Sequence, residues 1–193
     1  MPQKLFSEIE NIVHPFDSFG FFHDSMLYKN RKLTTQARIL LKRITQQYLE
    51  TINEIAKNPD ALLALHIIYG DFPPSVVEKL QQIIDFAKKK LGTRAIIGAS
   101  PEDIVKQAKP LLDRKKEIKL RSCGEQLDIC VQIVSNKLQT SLMMEKFKSQ
   151  NVATRLVGKV SFAAQRAMRR KIILSKPTYW DHFKAGRKNL RRK

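Results

Sequence analysis

The chain has 193 residues, 42% of them hydrophobic, so it is long enough to bury a sizeable core, and wholesale disorder is disfavoured. Lysine and arginine number 36 against 18 acidic residues, and the resulting net charge of +18 indicates a polyanionic partner. Because the sequence shows neither a secretory leader nor a run of about 18 apolar residues, we expect an intracellular protein of the cytoplasm or an organelle matrix, with no membrane span.

The first predicted element is a short helix that ends at His14-Pro15, because proline pushes the residue before it out of the helical region. Its apolar residues recur at helical spacing: Leu5, Ile9, Ile12 and Val13. An aromatic segment, residues 16–24, follows with four phenylalanines. We expect this segment to pack on the helices that come next.

Three more helices are predicted before Gly92. The first is a long amphipathic helix that Thr34 or Thr35 can cap. Next comes a short, nearly all-apolar helix, capped by Asp60, which we expect to lie at the centre of the N-terminal core. The third is amphipathic, begins at Pro73-Pro74 and ends at Gly92, where a left-handed residue is favoured.

Beyond Gly92 the pattern becomes mixed. Residues 93–98 predict a buried strand, and Ser100-Pro101 predicts a helix start that Pro110 kinks or ends. Residues 117–121 and 127–134 alternate with period two and predict a hairpin, and two further helices are predicted around Leu138 to Phe147 and over Val160 to Ile173.

These elements predict a mainly helical α+β protein in three parts. Residues 1–92 form a helical region, and residues 93–175 form a small mixed α/β unit that ends in a basic helix. Residues 176–193 form a basic tail that contains aromatic residues.

The positive charge is concentrated at the C-terminal end. From Asn151 onward there are 13 Lys/Arg and one acid, Asp181, a net +12, whereas the first 150 residues carry +6. The predicted helix of residues 160–173 has an apolar side and a basic side. A charged face is often merely solvated, but such a face normally mixes signs, and this one has no acid within reach. We therefore expect it to bind phosphate.

The segment after this helix interleaves Tyr179, Trp180 and Phe183 with positive charge. Single-stranded bases stack on such rings, although Trp180 could equally anchor the tail on the core. Residues 186–193 are expected to form an arm that becomes ordered on binding nucleic acid. The predicted contacts are Lys159, Arg166, Arg169, Arg170, Lys171, Lys176, Tyr179, Trp180, Lys184, Arg187, Lys188, Arg191 and Arg192.

No motif indicates catalysis, because a glycine-rich phosphate loop, a nucleophile elbow and a Ser-His or Cys-His arrangement are all missing from the sequence. The histidines lie at no ligand spacing from each other or from the cysteines: His14, His23, His66 and His182. We therefore predict no enzyme, no metal, no cofactor and no small-molecule substrate. Cys123 and Cys130 are expected to be reduced, half-buried thiols rather than a disulfide.

Residues 160–170, with Phe162, the Arg166-Ala-Met run and the Arg169-Arg170 pair, resemble the last KH helix of the small-subunit ribosomal protein family that carries a KH domain. Ile96-Ile97-Gly98 and the helix after it resemble the nucleic-acid-contacting strand, loop and helix of that family. The resemblance covers about residues 94–172. The KH loop reads Gly-x-x-Gly, whereas this chain has Gly98-Ala-Ser-Pro101.

Charge and resemblance together predict a non-catalytic RNA-binding protein, a ribosomal or other ribonucleoprotein component with other subunits of that particle as further partners. One alternative is a DNA-binding accessory or regulatory protein. Another is a basic protein that docks on acidic membrane or partner surfaces. A divergent phosphohydrolase is suggested only by the dipeptide His23-Asp24.

Overall fold

The computed structural model describes residues 4–20, 27–29, 32–68, 72–125 and 130–156. The strands, in chain order, are β1 (Glu8–Val13), β2 (Tyr28–Lys29), β3 (Lys32–Leu33), β4 (Ala61–His66), β5 (Ala95–Gly98), β6 (Ile118–Gly124) and β7 (Ser149–Leu156). The helices are α1 (Thr35–Lys57), α2 (Pro74–Leu91), α3 (Pro101–Ala108) and α4 (Gln132–Met144).

A five-stranded sheet in the order β5-β4-β1-β6-β7 is the centre of the fold, and every neighbouring pair in it is parallel. Its faces are covered by different helices. Apolar side chains of α1 and α2 pack on one face, and those of α3 and α4 pack on the other. This arrangement is a doubly wound α/β sheet, because helices alternate with the parallel strands along the chain and cover both faces of the sheet.

The prediction that the fold combines helices with strands is therefore confirmed, but the predicted class, mainly helical α+β, is wrong. The described part is α/β and roughly half helical, and its one main sheet takes strands from both the predicted helical region and the predicted α/β unit. β2 and β3 form a separate two-stranded antiparallel pair just before α1.

Two segments predicted as helices are strands, β1 and β4. In β4 all six residues are buried: Leu63 and Leu65 pack with α1 and α2, and Leu62 and Ala64 pack on the other face. A parallel strand covered on both faces reads as a continuous apolar run, so hydrophobic periodicity cannot distinguish it from a short buried helix. The prediction that the segment after Asp60 lies at the centre of the core is nevertheless confirmed.

The two amphipathic helices predicted before Gly92 and the helix predicted after Ser100 are confirmed. The Thr34 hydroxyl caps α1 by accepting a hydrogen bond from the Ala37 N–H, and Gly92 ends α2 at a positive φ of 56°. Ser100 caps α3, and the α-helix stops at Ala108, two residues before Pro110. Residues 95–98 form the predicted strand, and Leu138 and Leu142 lie on the buried side of α4.

The predicted hairpin is wrong. β6 pairs with β1 and β7, both parallel to it, and residues 132–134 belong to α4. The alternation of residues 118–121 arises because Ile118 and Leu120 are buried, whereas Lys119 is exposed and Arg121 reaches the Glu10 carboxylate of β1 at 2.7 Å. The helix predicted over residues 160–173 and the tail 176–193 lie outside the described residues. In the described part, no helix is long and apolar enough to cross a membrane.

Gly124 sets how closely β6 approaches β1. A Cβ at this position would lie 2.6 Å from the Val13 carbonyl oxygen and 2.8 Å from a Val131 methyl group. We expect Gly124→Ala to lower the free energy of unfolding by about 2 to 3 kcal/mol, because relief requires backbone movement. Urea denaturation measures it. Gly98→Ala is the comparison, since its closest clash is with the Ile104 side chain, at 2.7 Å, and a loss as large as for Gly124→Ala would contradict this reading.

Candidate functional site

β1 and β6 are neighbours whose outgoing connections lead to opposite faces of the sheet. The chain leaving β1 continues into α1 on one face, and the chain leaving β6 continues into α4 on the other. In open parallel sheets such a switch point opens a crevice at the carboxyl ends of the strands, and ligands bind there. The edge of the sheet formed by the carboxyl ends of its parallel strands is called the carboxyl edge below.

The turn after β1 carries two of the polar groups found there. His14 and Phe16 both have positive φ values, 46° and 68°, a conformation that non-glycine residues adopt at a cost. The Asp17 N–H donates to the His14 carbonyl at 3.1 Å and closes the turn. The side chains of His14 and Asp17 are thereby held at the carboxyl edge.

Glu125, the residue after β6, fixes this turn. Its side chain is 1% exposed, and Oε1 accepts hydrogen bonds from the Phe16 N–H at 2.8 Å and from the Tyr48 hydroxyl at 3.0 Å. Burial, together with the neighbouring carboxyl group, raises the pKa of Tyr48 well above its usual value. Phe16 also packs edge-on against the Tyr48 ring, at 5.5 Å between centroids, as expected for the aromatic segment.

Two histidines meet at the ends of β1 and β4. The His14 and His66 rings lie 4.8 Å apart between centroids. The backbone N–H of His14 donates to the backbone carbonyl of His66 at 2.8 Å. His66 Nε2 lies 3.1 Å from the Ala99 carbonyl oxygen, which makes it the donor in that bond. Burial lowers the pKa of His14 to about 4, with a further contribution from His66, and burial lowers the pKa of His66 as well. Both rings are therefore neutral at neutral pH.

Asp17 and Cys130 meet next to His14. The Cys130 thiol donates to Asp17 Oδ2 at 3.4 Å. Burial raises the pKa of Asp17, an effect that this hydrogen bond partly offsets, and burial together with Asp17 raises the pKa of Cys130 to about 11. One ligand atom each from His14, Asp17 and Cys130 lies within 4.8 Å of the other two. These three residues are called the His-Asp-Cys cluster below.

The sequence did not reveal this cluster. Its members lie 3 and 113 positions apart, which matches no local ligand spacing. The signal that could have found the edge is that His14 directly follows Ile12-Val13 and His66 ends the apolar run of residues 61–66, had both segments been recognised as parallel strands. The prediction for the cysteines is confirmed in that neither is in a disulfide, with Cys123 buried and Cys130 half-buried.

The thirteen predicted nucleic-acid contacts, Lys159 to Arg192, lie outside the described residues, as do His23 and His182. The structure does give the point from which their segment continues, because β7 ends at Leu156 on the carboxyl edge. Comparisons with known proteins found no matching family model, no matching curated protein and no matching solved structure.

The hydrogen bond from Tyr48 to Glu125 should stabilise the turn that carries His14 and Asp17. We expect Tyr48→Phe to lower the free energy of unfolding by about 2 kcal/mol, because a bond to a carboxylate is lost in a buried site. Tyr28→Phe is the matched control. The Tyr28 hydroxyl donates to the backbone carbonyl of Phe19, so its loss should cost only about 1 kcal/mol. Equal losses in chemical denaturation would contradict the assigned role of Glu125.

Proposed function

We propose that this protein binds RNA without catalysing a reaction, as a component of the ribosome or of another ribonucleoprotein particle. The observation that carries the proposal is the separation of charge along the chain. Residues 151–193 carry +12 of the net +18, with Asp181 as their single acid. A polyanion is the partner that such an excess attracts, since neutralising its phosphates releases counterions.

Several basic residues of the described part already form ion pairs with carboxylates. These pairs are Lys4 with Asp60, Lys109 with Glu145, and Arg121 with both Glu8 and Glu10. The segment after Leu156 has too few acids to be neutralised in this way. The excess charge available to a partner is therefore concentrated in that segment.

The position of Leu156, the last described residue, favours the same function. Leu156 ends β7 on the carboxyl edge, two strands from β1, a distance of about 10 Å at the usual strand spacing. A partner held by the basic segment is thus brought to the edge at which parallel α/β sheets bind their ligands. The preference for RNA over DNA rests on the resemblance of residues 94–172 to the KH-containing ribosomal family.

The experiment compares two variants of equal charge change in the full-length protein. Arg166, Arg169 and Arg170 are replaced by Gln in the first, and Lys88, Lys89 and Lys90 in the second. The three lysines are exposed in the last turn of α2, which runs antiparallel to the strands, so they lie at the opposite edge of the sheet. Affinity for structured RNA is measured over a range of salt concentrations.

We expect the arginine variant to bind more weakly, with a slope of log affinity against log salt reduced by about 2 to 3, since each lost phosphate contact removes about 0.7 to 0.9. The lysine variant should keep nearly the wild-type slope. Equal slopes for the two variants would disprove the assigned contacts. Tighter binding to duplex DNA than to RNA at equal salt, or to anionic vesicles than to either, would replace the proposal with one of its alternatives.

A further inference from the structure

We propose that the His-Asp-Cys cluster is a zinc site in which His14, Asp17 and Cys130 supply three ligands and water supplies the fourth. This site is distinct from the proposed RNA contacts, all of which follow Leu156. The inference rests on the spacing of the ligand atoms, on the lack of hydrogen-bond partners for the His14 ring, and on the donor set.

The spacing already approaches that of a coordinated ion. Zinc binds nitrogen and oxygen at about 2.0 to 2.2 Å and sulfur at about 2.3 Å, so tetrahedral ligand atoms lie about 3.3 to 3.6 Å from one another. The Sγ of Cys130 and Oδ2 of Asp17 are 3.4 Å apart, and the imidazole ligand atom of His14 lies within 4.8 Å of both. Closing the triangle requires a shift of about 1.5 Å at most.

The His14 ring provides an independent reason for a ligand. The residue is 9% exposed, and neither of its ring nitrogens has a hydrogen-bond partner among the described residues. A buried polar group without a partner costs free energy and is rare in native proteins, so a bound ion or water molecule is its usual explanation. A metal ion on one nitrogen accounts for this arrangement, and the packed His66 ring fixes the orientation of the imidazole.

The donor set favours zinc over harder cations. A thiolate, an imidazole and a carboxylate suit a borderline-soft ion, whereas magnesium and calcium prefer oxygen ligands throughout. Three protein ligands with one remaining position are typical of zinc sites that keep a water molecule, while purely structural sites use four. Two of the three ligands are positioned by regular elements, since His14 directly follows β1 and Cys130 lies two residues before α4.

The test is a metal titration of the full-length protein after removal of bound metal. Cobalt(II) serves as the spectroscopic probe because its visible bands report four-coordination and its near-ultraviolet charge-transfer band reports a thiolate ligand. We expect one cobalt ion per chain, both signals, and displacement by one equivalent of zinc. The charge-transfer band should disappear in Cys130→Ala and persist in Cys123→Ala, the matched control from the same chain.

Asp17→Asn provides a second arm in which the thiol is kept. Removing a ligand should weaken zinc affinity by more than about tenfold, since even supporting residues around metal sites contribute 10- to 100-fold. Asp85→Asn, an exposed aspartate on α2, should leave the affinity unchanged. Far-ultraviolet circular dichroism checks that each variant is folded, which matters most for His14→Gln because that side chain is buried.

The proposal is overturned if the wild-type protein binds no stoichiometric metal. It is equally overturned if folded Cys130→Ala and Asp17→Asn proteins bind zinc as tightly as their controls. The variant with Arg166, Arg169 and Arg170 replaced should bind zinc normally, so failure of RNA binding and failure of metal binding can be distinguished.

Discussion

The buried carboxyl group of Glu125 joins the parts of this fold on which the carboxyl edge depends. It follows β6, accepts the N–H of Phe16 in the turn after β1, and accepts the hydroxyl of Tyr48 from α1. Strand, turn and helix are therefore tied at one oxygen atom inside the core, where a polar group needs its partners. The positive φ of Phe16 is maintained at this junction, and the position of Asp17 follows from it.

The helices that the sequence predicted correctly have one buried face. α1 and α2 have an apolar stripe, a recognisable start and a defined end, so their local signals agree with their environment. β1 and β4 have two buried faces, and the neighbours that cover them come from distant parts of the chain. Even the polar residues of β1 are accommodated there, since Glu10 bonds to Arg121 and Asn11 bonds to Ser122. Nothing local distinguishes such a strand from a short helix.

The same error hid the candidate site. Once β1 and β4 are read as helices, His14 and His66 are merely residues near helix ends, 52 positions apart. Parallel pairing of Val13 with His66 brings their neighbourhoods together, and the crossover to β6 delivers Cys130 to the same edge. A site built from strand ends depends on topology, so ligand-spacing rules that work for local motifs do not apply to it.

The carboxyl edge and the basic segment combine two kinds of interaction with different ranges. The charge of residues 151–193 acts over distances of about a Debye length and is weakened by salt, so the proposed attraction of a polyanion would not fix its position. The His-Asp-Cys cluster acts only at bonding distance and is held by buried contacts that salt does not screen. Under the proposed function, the segment continues from β7 at this same edge, so the polyanion is brought close to a rigid group of side chains. The proposed attraction by the segment therefore depends on salt, whereas the geometry of the cluster does not.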